Sequence, residues 1–116
     1  MSKVSHLEWC CTDLAAAQGF LNTMFGWQFR SHGQHFAEHI PPAGPRIGLL
    51  QVDELPPPGA CQGYLRVENL DHCLERATAA GAAVQCPARV IPGYGRYARI
   101  LIPGGAVIGL FQWQRP

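Results

Sequence analysis

The sequence lacks a strong excess of either charge, because nine Lys and Arg stand against eight Asp and Glu among its 116 residues. A basic surface of the kind that binds nucleic acid or an anionic membrane is therefore not predicted. The charges are unevenly placed, however, and no acidic residue follows Glu75. Five arginines lie beyond that point: Arg76, Arg89, Arg96, Arg99 and Arg115. We expect this half of the chain to attract an anionic small molecule.

Long apolar runs and paired cysteines are also missing. The longest apolar run, Ile100 to Phe111, is too short to span a bilayer and is interrupted by Pro103-Gly104-Gly105. The first six residues lack the apolar core of a secretory signal. The five cysteines are an odd number and show no C-x-x-C spacing, which argues against a disulfide framework or a zinc knuckle. We predict a soluble, cytoplasmic protein with reduced thiols and with neither nucleic-acid nor membrane partners.

The pattern of apolar residues predicts the same order of elements twice. A strand at the start of each half is followed by a helix, which begins after Asp13 in the first half and after Asn69 in the second. Gly26 and Gly81 end these helices, and three strands follow each of them. We predict an α+β fold of two βαβββ modules, residues 1–55 and 60–116, within a single domain of residues 1–116. The strands are expected to form one curved eight-stranded mixed sheet with the helices outside.

An internal repeat supports this division. Residues 47–51, with the sequence IGLLQ, are answered by residues 108–112, with the sequence IGLFQ. The helix-start pair Asp13-Leu14 is likewise answered by Asn69-Leu70. Similar residues at corresponding positions of the predicted elements indicate an internal duplication.

Several short motifs follow this repeat. The first half contains His6-Leu7-Glu8, Thr12-Asp13-Leu14-Ala15 and Phe25-Gly26-Trp27. The second half contains four such segments: residues 67–71, 80–82, 91–98 and 103–110. In these motifs nearly the whole chain resembles the vicinal oxygen chelate superfamily, which includes glyoxalase I, bleomycin resistance proteins and extradiol dioxygenases. The resemblance implies the two-module fold but specifies function weakly, because this superfamily hosts many unrelated activities.

The resemblance also implies positions for metal ligands on the first and last strand of each module. The first-strand positions fall on His6 and Gln62, whereas the last-strand positions, usually glutamates, fall on Gly48 and Gly109. Glycine has no side chain to coordinate a metal, and a catalytic metal usually needs about three protein ligands. The chain therefore resembles a member without the usual metal carboxylates. We expect no cofactor, although His6, Gln62 and the adjacent Glu8 remain the candidate ligands for a divalent ion.

Two groups of residues are predicted to line a ligand cavity. His6, Glu8 and Gln62 are expected on its floor, because they occupy first-strand positions. The Tyr94-Gly95-Arg96-Tyr97 segment is expected at its mouth, because aromatic rings cover flat ligands and arginine pairs with carboxylate or phosphate. Two other interpretations remain open: Glu8 forms an ion pair with an arginine of a neighbouring strand, and the tyrosine rings only pack on the sheet rim.

We therefore predict a protein that binds a small organic molecule, anionic or aromatic, without metal. The alternative is a metal-dependent lyase, isomerase or dioxygenase in which His6, Gln62 and Glu8 hold a divalent ion. A third interpretation is a dimerising accessory domain without a ligand. A homodimer is expected in any case, because a short two-module chain has open sheet edges and these are usually paired or covered.

Overall fold

The computed structural model describes residues 4–55 and 63–114, and the same order of elements occurs in both segments. The first segment contains β1 (His6–Cys11), α1 (Leu14–Phe25), β2 (Arg30–Ser31), β3 (Phe36–His39) and β4 (Arg46–Gln51). The second contains β5 (Tyr64–Arg66), α2 (Leu70–Ala79), β6 (Ala83–Ile91), β7 (Gly95–Leu101) and β8 (Val107–Trp113). The predicted α+β fold and the two βαβββ modules are confirmed. The division at residues 55 and 60 stays a prediction, because the connection lies outside the described residues.

The strands form two four-stranded sheets, with the orders β1-β4-β3-β2 and β5-β8-β7-β6. In each sheet the first strand of the module runs parallel to the last, and the other pairs are antiparallel. The single eight-stranded sheet expected from the sequence is therefore wrong. The two modules meet instead where the backbone N–H groups of Thr12 and Asp13 both donate to Gly104 O, at 2.6 and 3.1 Å.

Helix α1 begins at a double cap. The carboxylate of Asp13 accepts a hydrogen bond from the backbone N–H of Ala16 at 3.1 Å, as an N-cap residue does. The side-chain oxygen of Gln51, at the end of β4, accepts a second bond from the N–H of Leu14 at 2.9 Å. The helix ends at Gly26, whose φ of 70° lies in the left-handed region that glycine adopts without steric cost.

Helix α2 repeats this arrangement. The side chain of Asn69 accepts from the N–H of His72 at 3.0 Å. The side-chain oxygen of Gln112, near the end of β8, accepts from the N–H of Leu70 at 2.7 Å. Each module thus uses the glutamine that ends its repeated sequence to tie the last strand to the start of the helix. The internal duplication seen in the sequence is therefore also present in the structure.

One face of each sheet packs on the helices, and the apolar residues of both modules form a single buried cluster. The largest fully buried side chains are Leu21, Leu49, Leu70, Ile100, Ile108, Leu110 and Cys11. Because side chains alternate along a strand, the strand residues next to these buried ones face away from the helices. Within the described residues neither helix is long and apolar enough to cross a membrane.

Candidate ligand-binding site

The face of the second sheet that is turned away from its helix carries a cavity of about 520 Å³. Strand alternation selects its lining: Ala98 and Leu110 are fully buried on the helix side, so Tyr97, Arg99 and Phe111 face the cavity. The described lining residues are Tyr64, Arg66, Ile91, Tyr94, Tyr97, Arg99, Phe111 and Trp113. This set contains two arginines and no carboxylate, so the cavity is cationic as well as aromatic.

Three rings form one wall of the cavity. Tyr94, Phe111 and Trp113 contact one another edge to face, with ring centroids 4.7–5.1 Å apart. Such arrangements are favourable for aromatic pairs. Tyr94 and Trp113 nevertheless remain 49% and 43% exposed. Exposed aromatic surface concentrated in one concave place is typical of a binding site rather than of a core. We call these three residues the aromatic wall.

Arg99 also lines the cavity, and it contacts two tyrosines. Its guanidinium carbon lies 6.0 Å from the ring centroid of Tyr64 and 5.6 Å from that of Tyr97, within the range of cation–π contacts. Its Nε–H donates to the phenol oxygen of Tyr64 at 3.0 Å, and this hydrogen bond raises the pKa of the guanidinium. The hydrogen bonds of the described residues leave its two Nη groups available to a ligand.

Rings from neighbouring strands cover both glycines at which the resemblance implies metal carboxylates. Tyr64 of β5 is the register partner of Gly109, and a Cβ added at that glycine would overlap its ring. A Cβ at Gly48 would lie 3.0 Å from the tip of the Phe36 ring. A side chain at Gly109 would have to displace the Tyr64 ring, whereas one at Gly48 would have to push the Phe36 ring back by a few tenths of an ångström.

The first-module candidates lie on a different surface. His6 and Glu8 are exposed on β1, with His6 Nε2 and Glu8 Oε1 3.9 Å apart, and His6 Nδ1 lies 2.9 Å from the hydroxyl of Ser5. The arginine of the neighbouring strand, Arg46, pairs with Glu38 at 3.3 Å rather than with Glu8. Gln62 lies outside the described residues. Within residues 4–55 and 63–114 no group of three His, Cys, Asp or Glu side chains could hold a metal ion, so the described donors do not fit a metal centre.

Arg96 lies on the opposite face of β7 from Arg99. Its Nη groups make two hydrogen bonds to the carboxylate of Asp71 on α2, at 2.9 and 3.2 Å, which lower the pKa of that carboxyl. Arg96 therefore ties strand to helix, whereas Tyr94 and Tyr97 line the cavity.

Sequence reasoning missed six of the described lining residues: Tyr64, Arg66, Ile91, Arg99, Phe111 and Trp113. Counting alternate positions from the apolar residues of β7 and β8 would have found Arg99, Phe111 and Trp113.

No protein-family model matches the sequence. Two relatives are 30% identical to this chain over 112 residues. Both carry the name CFP32 and are described as candidate glyoxylases, one from Mycobacterium bovis and one from Mycobacterium tuberculosis. The alignment covers 90% of this chain and 43% of each relative. The chain thus spans less than half the length of the curated relatives it matches.

Solved structures share the fold over nearly the whole chain. TnmS3, an antibiotic binding protein from Streptomyces sp. CB03234, is 29% identical with a TM-score of 0.68, covering 98% of both chains. A glyoxalase/bleomycin resistance protein/dioxygenase family enzyme from Burkholderia phytofirmans has a TM-score of 0.78 at 16% identity, covering 97% of this chain and all of the other. The fosfomycin resistance protein FosX from Listeria monocytogenes has a TM-score of 0.77 at 20% identity, covering 98% and 95%. The chain therefore has the glyoxalase/bleomycin resistance fold, and these similarities fit the vicinal oxygen chelate superfamily that its motifs resemble.

Proposed function

We propose that this protein binds a small organic molecule in the cavity of its second module and that it does so without a metal ion. The observation that carries the proposal is the combination of an exposed aromatic wall and a fixed guanidinium in one concave site. Concave, mainly apolar sites with a few well-placed polar groups are the usual form of small-molecule sites.

The two ring-covered glycines support a function without metal. Tyr64 fills the space that a coordinating carboxylate at Gly109 would need, and Phe36 crowds the same position at Gly48. The relative TnmS3 supports binding as an activity of this scaffold, since its name describes an antibiotic binding protein and its similarity extends over 98% of both chains. Sequestration of an organic molecule is therefore the activity we assign.

The alternative function is a metal-dependent lyase, isomerase or dioxygenase. The close approach of His6 and Glu8, at 3.9 Å, is the one feature of the described residues that favours it. A third ligand would have to come from Gln62 or from a group outside the described residues.

Metal analysis separates the two functions. Purified protein is analysed for bound Zn, Ni, Fe and Mn, titrated with each ion, and assayed for glyoxalase activity. We expect no stoichiometric metal, no activity, and a rise in melting temperature with small aromatic compounds in the presence of EDTA. Tight stoichiometric metal with activity that His6→Ala abolishes would establish the alternative. His72→Ala is the matched control, because His72 is also exposed but lies at the start of α2.

We also propose that the protein forms a homodimer. Within residues 4–55 and 63–114, strands β2 and β6 each have only one partner in their sheets, and Val84 and Val90 on β6 are 45% and 65% exposed. Open edges of this kind are usually covered in natural proteins. Light scattering that gives the monomer mass at all concentrations would contradict this proposal. The cytoplasmic location stays a prediction.

A further inference from the structure

We infer that the ligand is a planar aromatic acid, whose carboxylate pairs with Arg99 while its ring system lies against the aromatic wall. This inference rests on the proposed function and specifies the class of molecule that the same cavity selects. Three features of the cavity lead to it: its charge, the fixed orientation of one guanidinium, and the shape of its apolar surface.

The charge of the lining predicts an anionic ligand. Arg66 and Arg99 both line the cavity, and no aspartate or glutamate is among the described lining residues. A neutral ligand offers Arg99 only uncharged acceptors, whereas a hydrogen bond between two charged groups is about twice as strong. An acid group supplies charged acceptors, so the free energy of binding should favour the acid over a neutral analogue of the same shape.

The orientation of Arg99 predicts that the acid is a carboxylate. Tyr64 accepts the Nε–H, and the guanidinium carbon lies 6.0 Å from the ring centroid of Tyr64 and 5.6 Å from that of Tyr97. The two Nη groups therefore remain as a fixed planar pair of donors. Such a pair matches the two oxygens of a carboxylate in a bidentate contact. Because the fork is already held by protein contacts, little side-chain freedom is lost when the ligand binds.

The aromatic wall predicts a flat hydrocarbon body attached to that carboxylate. Tyr94 and Trp113 present exposed ring surface, and Ile91 adds an aliphatic contact at 39% exposure. Flat rings stack on such surfaces in offset or edge-to-face geometry. A cavity of about 520 Å³ lies within the size range of sites that hold drug-sized molecules, so a fused ring system fits.

A matched set of probes tests the inference by calorimetry in EDTA. The probes are 2-naphthoate, its neutral isostere 2-naphthamide, and the saturated acid decahydro-2-naphthoate. We expect 2-naphthoate to bind about tenfold or more tightly than 2-naphthamide, since one charge-assisted hydrogen bond is worth roughly a factor of ten. It should also bind more tightly than the saturated acid, which keeps the carboxylate but has no flat ring to stack on the aromatic wall. Arg99→Met should remove the preference for naphthoate over naphthamide, and Arg99→Lys should restore only part of it.

The control variant is Arg96→Met, which removes an arginine from the opposite face of the same strand. It should keep the wild-type preference, and thermal melts verify that all variants are folded. Equal affinity for naphthoate and naphthamide in wild-type protein would overturn the inference while leaving the proposed function intact. If none of the probes binds and a wider aromatic screen also fails, both the inference and the proposed function are wrong.

Discussion

The phenol ring of Tyr64 lies over Gly109 on the neighbouring strand, so closely that a Cβ at the glycine would overlap it. The same phenol accepts the hydrogen bond that orients Arg99. Gly109, where the resemblance implies a metal carboxylate, and Arg99 in the cavity are therefore linked through the side chain of Tyr64. Without the glycine, Tyr64 could not hold this position, and Arg99 would lose its orienting acceptor.

The first prediction concerns this pair. Gly109→Ala should lower the free energy of unfolding by about 1–3 kcal/mol, because the added methyl group overpacks against the ring. The loss should be much smaller when Tyr64→Ala is already present. Urea unfolding of the two single variants and the double variant measures the coupling, and additive losses would contradict the close contact. Gly48→Ala is the control, and its cost should be smaller because it meets only the tip of the Phe36 side chain at 3.0 Å.

The second prediction concerns the glutamines that cap the helices. Gln51→Ala and Gln112→Ala should each lower the free energy of unfolding by about 1 kcal/mol, since each leaves a partly buried N–H, of Leu14 or of Leu70, without its acceptor. Similar losses are expected because the two contacts are duplicates. Chemical denaturation measures them against Gln34→Ala, an exposed glutamine in the first module. A loss no larger than that of Gln34→Ala would contradict the capping role.

The third prediction concerns the pH dependence of the bond between Arg96 and Asp71. The arginine lowers the pKa of the Asp71 carboxyl below its ordinary value of 3.8, so the pair stabilises the fold above that pH. The contribution is lost as the pH falls through the lowered pKa. Asp71→Asn should therefore be less stable than wild type at pH 7, and the difference should disappear in acid. A difference that is equally large at pH 7 and at pH 2.5 would rule out this electrostatic origin.

The fourth prediction concerns thiol reactivity. Burial raises the pKa of Cys11 to about 11 and also raises the pKa of Cys73, which keeps both thiols protonated at neutral pH. Cys10 and Cys86 are only half-buried. Alkylation at pH 8 followed by peptide mass analysis should label Cys10 and Cys86 before Cys11 and Cys73. Equal rates at the adjacent Cys10 and Cys11 would contradict the alternation of β1.

The element order of the fold could be predicted from the sequence because its signals are local. Asp13 and Asn69 mark the helix starts through their own side-chain hydrogen bonds, and the repeated segments show which strands correspond. The separation of the strands into two sheets depends on which edges meet. The residues that meet there are distant in the chain, as Thr12 and Gly104 are, and such contacts leave no local pattern.

Only part of the lining of the candidate cavity could be predicted from the sequence, for a similar reason. The segment from Tyr94 to Tyr97 was recognised by its residue types, but composition does not tell which face of a strand a side chain occupies. Arg96 and Arg99 differ in this respect, since they lie three positions apart on opposite faces of β7. The buried Ala98 between them reveals the face of each once the helix side is known.

The most direct measurement of the central claim follows the indole N–H signals of the three tryptophans by NMR. EDTA-treated protein labelled with ¹⁵N is titrated with 2-naphthoate, and Trp113→Phe assigns the signal of the cavity residue. Binding in the second module should shift the Trp113 signal, whereas Trp9, which is 4% exposed on the helix side of β1, should stay in place. A Trp113 signal that does not move at saturating probe, or that moves only after a divalent metal is added, would contradict metal-free binding in this cavity.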